Sequence, residues 1–486
     1  MTGTRNVDDN VFFTPAAELA QLIARREISP VELTKATLAR IEDSEASINA
    51  FITTAADTAL AAAEAAEAKV LTGDPLPPLH GVPFSVKDLV NTSGVRTTFG
   101  SHHLADNIPA ADSICVARMK AAGAIMIGKT TTPEFGHKPL TEAPLFGKTR
   151  NPWNLSATAG GSSGGAAAAV AAGLGPLAIG TDGGGSIRIP AACCGVVGMK
   201  PTLGCIPHDQ SADAFGSLVY FGPMTRTVLD AALMLDAMAG PASCDPYATQ
   251  PMSNDFTAEA GNPSDLQGLR IAWAPLLGNE AIDSETLDLC EKAARQLQAL
   301  GATVDPLGDD FANTEWLWLT ITHSIWASRF KSFADKDRGC MDPSLLTQMD
   351  RGSAYTAVDL QDAQRARTEL FRQVQGWFER FDLVAMPTLS RPAVSIDQDP
   401  LGDVDIAGRA VGSLRGAWYP YTHPFNLTGH PAITVPCGFT AGGLPVGLQL
   451  VARWYGEAQL IRAASRYEAA CDWMSRRPEF ATAATS

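Results

Sequence analysis

Apolar positions in the first 70 residues recur at helical spacing. Ser29-Pro30-Val31-Glu32 has the form of a capping box with proline at the first helical position, and it opens an amphipathic run carrying Val31, Leu33, Leu38 and Ile41. Residues 54–69 are alanine-rich with interspersed glutamate, a composition that favours helix by intrinsic propensity. These features predict an N-terminal helical layer over residues 1–70, ended by the proline-rich segment that runs from Leu71 to Pro83.

From residue 81 the period changes. Gly81 to Asp88 reads as a short strand-like run with Lys87 at its end, residues 113–122 as a helix and residues 124–127 as a strand. The alternation resumes with a strand at 269–273, a helix at 284–300 and a strand at 303–304. Further strands are predicted at 383–386, 432–435 and 446–451, with a turn at Gly442-Gly443, and a last helix at 457–473. Alternating short strands and helices point to an α/β fold with a substantial parallel or mixed sheet. Residues 310–380 are helical in character and carry Trp316, Trp318, Trp326, Phe330 and Phe333, which suits a helical cap beside the core.

The chain has 486 residues with 37 Lys+Arg and 52 Asp+Glu, a net charge of −15, and this composition lacks the basic footprint that nucleic-acid binding requires. Residues 151–181 carry no charge, but glycine, alanine and serine dominate them, so they suit a buried element better than a membrane span. The start, MTGTRNVDDNVFF, has no apolar segment of a secretory signal. Nine cysteines at irregular spacing form no CxxC pair and no zinc pattern, which favours reduced thiols and a cytoplasmic location.

Two short motifs invite over-reading. Gly123 to Thr130 matches GxxxxGK[ST], but a P-loop needs a flexible loop between its glycines, and the four intervening residues are strand-like. Gly160-Gly161-Ser162-Ser163-Gly164 matches the GxSxG nucleophile elbow, with His323, His423 and His430 downstream as bases. An elbow follows a strand, however, and Ala157-Thr158-Ala159 is a poor one.

The densest signal lies between Gly160 and Thr202. Ten glycines fall between 160 and 185, and two serine-bearing glycine turns stand 24 residues apart. A buried Gly/Ala helix with tight turns accounts for Ala166 to Ala172. It accounts less well for Gly183-Gly184-Gly185, whose unshielded amides suit an oxyanion hole, with Ser186 directly after them where a nucleophile would sit. Serine needs a base, and no histidine occurs between 138 and 207. A lysine made neutral by burial can serve, and Lys87 is a candidate, although such a lysine is more commonly a surface residue.

Together these residues resemble the amidase signature family of serine hydrolases. The likeness runs through Gly81 to Leu89, GKTTTPEF at 128–135, FGKTRNPWN at 146–154, the 160–202 block and PFNLTGHPAITVP at 424–436. The resemblance implies an α/β/α fold over residues 71–486 with a large mixed twisted sheet. It also implies a Ser-Ser-Lys triad carried by Lys87, Ser162 and Ser186, with the peptide bond before Ser162 cis. Gly183, Gly184 and Gly185 would form the oxyanion hole, Ser163, Asp182 and Arg188 would support the geometry by hydrogen bonding, and Phe135, Gly136 and His137 would line the substrate pocket. No metal or organic cofactor is required by that chemistry.

The implied partner is a small-molecule amide; anilides, aryl amides, short acyl amides and carbamates all remain open. The glutamine-hydrolysing subunit of the tRNA-dependent amidotransferases is the alternative, but it typically reads NMDEFAMGSSTE and SIRQPA where this chain has TTPEFGHKPLTE and SIRIPA, with Ile189 replacing glutamine. A catalytically dead scaffold is disfavoured by the intact serines and lysine. Family members are frequently homodimers, and nothing in the sequence decides that.

Overall fold

The computed structural model describes residues 9–249, 255–262 and 264–480. Eleven strands form one sheet: β1 (Phe51–Thr54), β2 (Pro83–Lys87), β3 (Ile125–Thr130), β4 (Leu177–Asp182), β5 (Val197–Lys200), β6 (Tyr220–Thr225), β7 (Arg270–Trp273), β8 (Thr303–Pro306), β9 (Leu383–Pro387), β10 (Ala432–Phe439) and β11 (Pro445–Ala452). Their order is β1-β3-β2-β4-β6-β5-β10-β11-β9-β7-β8. β2 runs parallel to β3 and β4, β7 runs parallel to β8 and β9, and the other pairings are antiparallel. The sheet is therefore mixed, as the alternation of elements predicts.

Helices cover both faces. On one side the helices Val228–Met238, Ser284–Ala299 and Glu457–Ala469 pack with Phe84, Val86, Phe221 and Leu448. On the other, the helices Ala56–Thr72, Gly164–Ala171 and Arg188–Cys194 pack with Ile125, Ile127 and Ala178. A third cluster joins the helices Glu315–Arg329, Pro343–Ser353 and Ala357–Trp377 through Trp318, Ile321, Leu345 and Trp377.

The N-terminal region differs from the sequence reading in two respects, and its residues 1–8 lie outside the described ones. Phe-Ile-Thr-Thr at 51–54 is β1, a β-prone run too short for its period to show, which pairs antiparallel with β3. Ser29 accepts from the amides of Val31 and Glu32 as a cap should and its hydroxyl donates to Glu67 at 2.5 Å, but the return bond of a capping box, from the Ser29 amide to the Glu32 carboxylate, is absent among the described residues.

Three strands escape the sequence reading because glycine interrupts them: β4 holds Gly180, β5 Gly198 and β6 Gly222. Close approaches account for the glycines. A Cβ at Gly222 would overlap the Met199 carbonyl, and one at Gly198 would lie 2.6 Å from Ala191 of the overlying helix. The last helix ends at Ala469, short of 473, and Trp473 turns back to donate to the Arg226 carbonyl at 3.4 Å.

Candidate active site

The parallel pair β2 and β4 sets the site. Their carboxyl ends deliver Lys87 and Thr181-Asp182 side by side, at the edge where open α/β sheets commonly bind ligands. The turn Gly160 to Ser163 leads into the wholly buried helix Gly164–Ala171, whose small residues let it lie against the sheet; a Cβ at Gly165 would meet the Thr131 amide at 2.5 Å. This packing carries Ser162 and Ser163 to Lys87, and the Gly161–Ser162 peptide is cis.

Lys87 is fully buried. Its Nζ lies 2.7 Å from Ser162 Oγ, 2.9 Å from Ser163 Oγ and 2.8 Å from Thr181 Oγ1. Burial holds its pKa well below the ordinary lysine value, with Asp182 opposing the shift. Ser163 donates its own proton to the Thr181 carbonyl at 3.1 Å, so it can only accept from Lys87. Lys87 Nζ thus meets three hydroxyl oxygens, and a neutral amine has two N–H bonds and one lone pair with which to meet them.

Ser186 stands before the helix Arg188–Cys194, half-buried, on the wall of the same cavity as Ser162. The Ser163 amide donates to the Ser186 carbonyl at 3.1 Å and joins the two serine turns. Asp182 fastens this loop. Its Oδ1 accepts from Gly185 N at 2.6 Å, Arg188 Nη2 at 3.0 Å and Asn426 Nδ2 at 2.9 Å; its Oδ2 accepts from Ile187 N at 3.2 Å and Arg188 Nε at 3.0 Å. Burial alone would raise the Asp182 pKa, but the Arg188 charge and these bonds hold it below the usual carboxylate range. Arg188 is itself buried and also donates to Thr422 O, Gln449 Oε1 and Asn426 Oδ1.

Of the three glycine amides expected at the oxyanion hole, that of Gly185 is already engaged inside the protein, donating to Asp182 Oδ1. Among the described residues, the amides of Gly183, Gly184 and Ser186 have no acceptor.

Phe135, Gly136 and His137 line the cavity, whose volume is about 120 Å³, with Trp318, Trp326 and Phe330 completing much of its apolar wall. Phe135 stacks on Phe330 at 4.3 Å, and a Cβ on Gly136 would come within 3.2 Å of Ser162 Oγ. His137 faces elsewhere in its bonding: its ring nitrogens engage the Glu134 carbonyl and Ser344 Oγ, each at 2.7 Å, which ties the pocket loop to the helix Pro343–Ser353. A larger cavity of about 910 Å³ shares Leu89, Phe135, Val219, Ile325 and Phe330 with the first. Ser186 is not among the residues that line it.

The competing motifs dissolve in the structure. Residues 125–130 are β3 itself, and Lys129 is buried within it against Val90 O and Thr92 Oγ1. His323, His423 and His430 are all buried, and none bonds to Ser162. Sequence reasoning missed Thr181, Trp318 and Thr422. Thr181 adjoins Asp182 and Thr422 lies four residues before Asn426, yet no motif distinguished either; Trp318 stood among aromatics that core packing also explains.

Among the described residues no group of three or more potential metal ligands occurs, and no helix is long and apolar enough to cross a membrane.

The fold and this cluster of serines around a buried lysine define an amide hydrolase of the amidase signature family. The chain belongs to that family: the Amidase family pattern matches residues 32–461. It is 39% identical over 477 residues to an acylamidase of Rhodococcus erythropolis, covering 97% of this chain and 98% of that one. It is 37% identical over 492 residues to a glutamyl-tRNA(Gln) amidotransferase subunit of Roseiflexus sp. (strain RS-1), covering 95% and 97%. Its structure resembles that of a bacterial aryl acylamidase of the amidase signature family with a TM-score of 0.89, at 33% identity over 96% of this chain and 98% of that one.

Proposed function

We propose that the protein hydrolyses aryl or short acyl amides through an acyl-enzyme on Ser186, with Lys87 and Ser162 relaying the proton. The contact that carries this reading is the buried Lys87 Nζ, 2.7 Å from Ser162 Oγ. Neutral Lys87 takes the Ser162 proton as Ser162 takes that of Ser186, and Ser186 Oγ bonds to the amide carbon. The carbonyl oxygen gains the negative charge, which the free amides of Gly183, Gly184 and Ser186 stabilise. The intermediate then collapses: the C–N bond breaks, Ser162 protonates the departing nitrogen, and Lys87 returns its proton to Ser162. Water attacks the ester by the same relay reversed, releasing acid and restoring Ser186.

Apolar walls around Ser186 and the acylamidase relative support a substrate with an apolar acyl or aryl group. The adjoining larger cavity offers room for the rest of such a molecule. Helices of the 310–380 region act here as a cap, since Trp318, Trp326 and Phe330 form part of the wall. Cysteine usage supports a cytoplasmic setting for the reaction.

The test is turnover by the purified protein of an acyl anilide, a short aliphatic amide, an aryl carbamate and glutamine. Ser186→Ala should abolish release of amine, and Ser162→Ala should leave a small residue at most. The amidotransferase relative favours a second reading, glutamine hydrolysis on behalf of partner proteins; activity on glutamine alone, or only with added partner subunits, would select it.

A further inference from the structure

We infer that Trp318 is a positioning residue for the amide of Gly184, so that the helix Glu315–Arg329 orients the oxyanion loop as well as lining the cavity. This rests on the reading of Ser186 as nucleophile. Trp318 Nε1 donates to the Gly183 carbonyl at 2.9 Å, and the indole is 4% exposed. In a trans peptide the C=O and the following N–H point in opposite directions. Fixing the Gly183 carbonyl against the indole therefore turns the Gly184 N–H away from it, and that N–H has no acceptor among the described residues.

The next peptide shows the same logic with the opposite outcome. Thr422 Oγ1 donates to the Gly184 carbonyl at 2.7 Å, and the Gly185 N–H, directed the other way, meets Asp182 Oδ1 at 2.6 Å. Two successive peptides are thus each held by their carbonyl. The second amide is spent inside the protein, and the first is left for substrate. The indole is clamped from its other partner as well: the Arg415 guanidinium sits 3.5 Å from its ring centroid. A Cβ at Gly184 would lie 3.0 Å from three indole atoms, so glycine there follows from the closeness of the ring.

A purely structural role in the cap core, where Trp318 meets Trp326 edge-on at 5.8 Å, predicts something different. Trp318→Phe keeps a ring and removes the N–H. Loss of one oxyanion donor typically costs about 10²–10³-fold in kcat, so misaiming it should cost roughly 10- to 100-fold. KM for an acyl anilide should stay within about threefold, and affinity for a trifluoromethyl ketone analogue should fall by the same factor as kcat/KM. The acid limb of the pH profile should not move, because Lys87 is untouched.

Should Trp318→Phe fail to fold, benzothienylalanine at 318 replaces only the N–H by sulfur and reads the same quantities. A kcat within about threefold of wild type, or a rise in KM with kcat unchanged, would overturn the inference. Ser186→Ala is assayed alongside. If that variant still turns over substrate, the parent reading falls; if it is inactive while Trp318→Phe is not impaired, only the role of Trp318 falls.

Discussion

Replacing Asp182 by asparagine should destabilise the protein severely while leaving the side-chain shape almost untouched. With the amide oxygen kept at the Oδ1 position, the bonds from Gly185, Arg188 Nη2 and Asn426 survive. The amide nitrogen then faces two donors, Ile187 N and Arg188 Nε. Each buried donor left unmatched costs about 1–3 kcal/mol, together about 2–6 kcal/mol. That range brackets the ~3–5 kcal/mol typical of breaking a buried ion pair from one side, and the Asp182–Arg188 pair has no exposed part. Against a usual total of about 5–15 kcal/mol, the loss is large. Urea unfolding followed by tryptophan fluorescence measures it as a lower midpoint at unchanged slope. The pH dependence supplies a second check. The folded carboxyl titrates below its unfolded value of about 4, so its stabilisation is complete above that pH and is lost as pH falls towards the folded pKa. The gap between wild type and variant should be level from about pH 5 to 8 and should narrow in acid. A gap under about 1 kcal/mol, or one that widens on acidification, would refute the reasoning.

Other expectations follow from the same geometry. Because burial lowers the Lys87 pKa and the neutral form is the base, kcat/KM should rise with pH as the ammonium loses its proton and then level off; a rate flat from about pH 5 to 9 excludes a lysine base. Lys87→Met should be inactive yet more stable than wild type, with the gain growing as pH falls below the unfolded lysine value, because the unfolded chain holds a proton that the buried neutral amine gives up, and levelling once the folded amine is protonated; denaturation at two pH values between those limits decides it. Gly136→Ala places a methyl group 2.7 Å from Leu89 and 3.2 Å from Ser162 Oγ at φ +73°, so turnover should drop along with about 1–2 kcal/mol of stability. Gly94→Ala has a similar φ of +70° and no neighbour within 4 Å, and it should lose stability but keep kcat.

Legibility in the sequence followed the length scale of each constraint. The pattern of apolar positions predicted the helix at 284–300 and the strands at 383–386 and 446–451 to within a residue or so of the observed Ser284–Ala299, Leu383–Pro387 and Pro445–Ala452, because each buries one clear face or an unbroken apolar run. β4, β5 and β6 were hidden by glycines whose reason is a neighbour distant in sequence, such as Met199 against Gly222. Lys87, Ser162 and Ser186 were legible through motif resemblance, and the structure adds what spacing lacks: 75 residues separate Lys87 from Ser162, and only the packed helix Gly164–Ala171 closes that distance to 2.7 Å. The oxyanion loop was the least legible part. Three glycines look alike in sequence, and which amide stays free depends on Asp182, Trp318 and Thr422.

That dependence bears on how such a site can keep its chemistry while its pocket changes. Lys87 and Asp182 end central strands, and Arg188 is held by Asp182, Asn426 and Gln449; all five are buried and none lines the cavity. The Gly183 carbonyl is instead held by a cap helix that also contributes Ile325 and Trp326 to the wall. Changes in that helix alter the shape offered to the substrate, and any that displace Trp318 also misaim an amide at the reacting centre. The cap is thus free to vary at its other wall positions, while position 318 is constrained by the need to present an N–H to Gly183. A set of cap variants should divide accordingly: those at Ile325 should redistribute KM among substrates, and those at Trp318 should lower kcat for all of them.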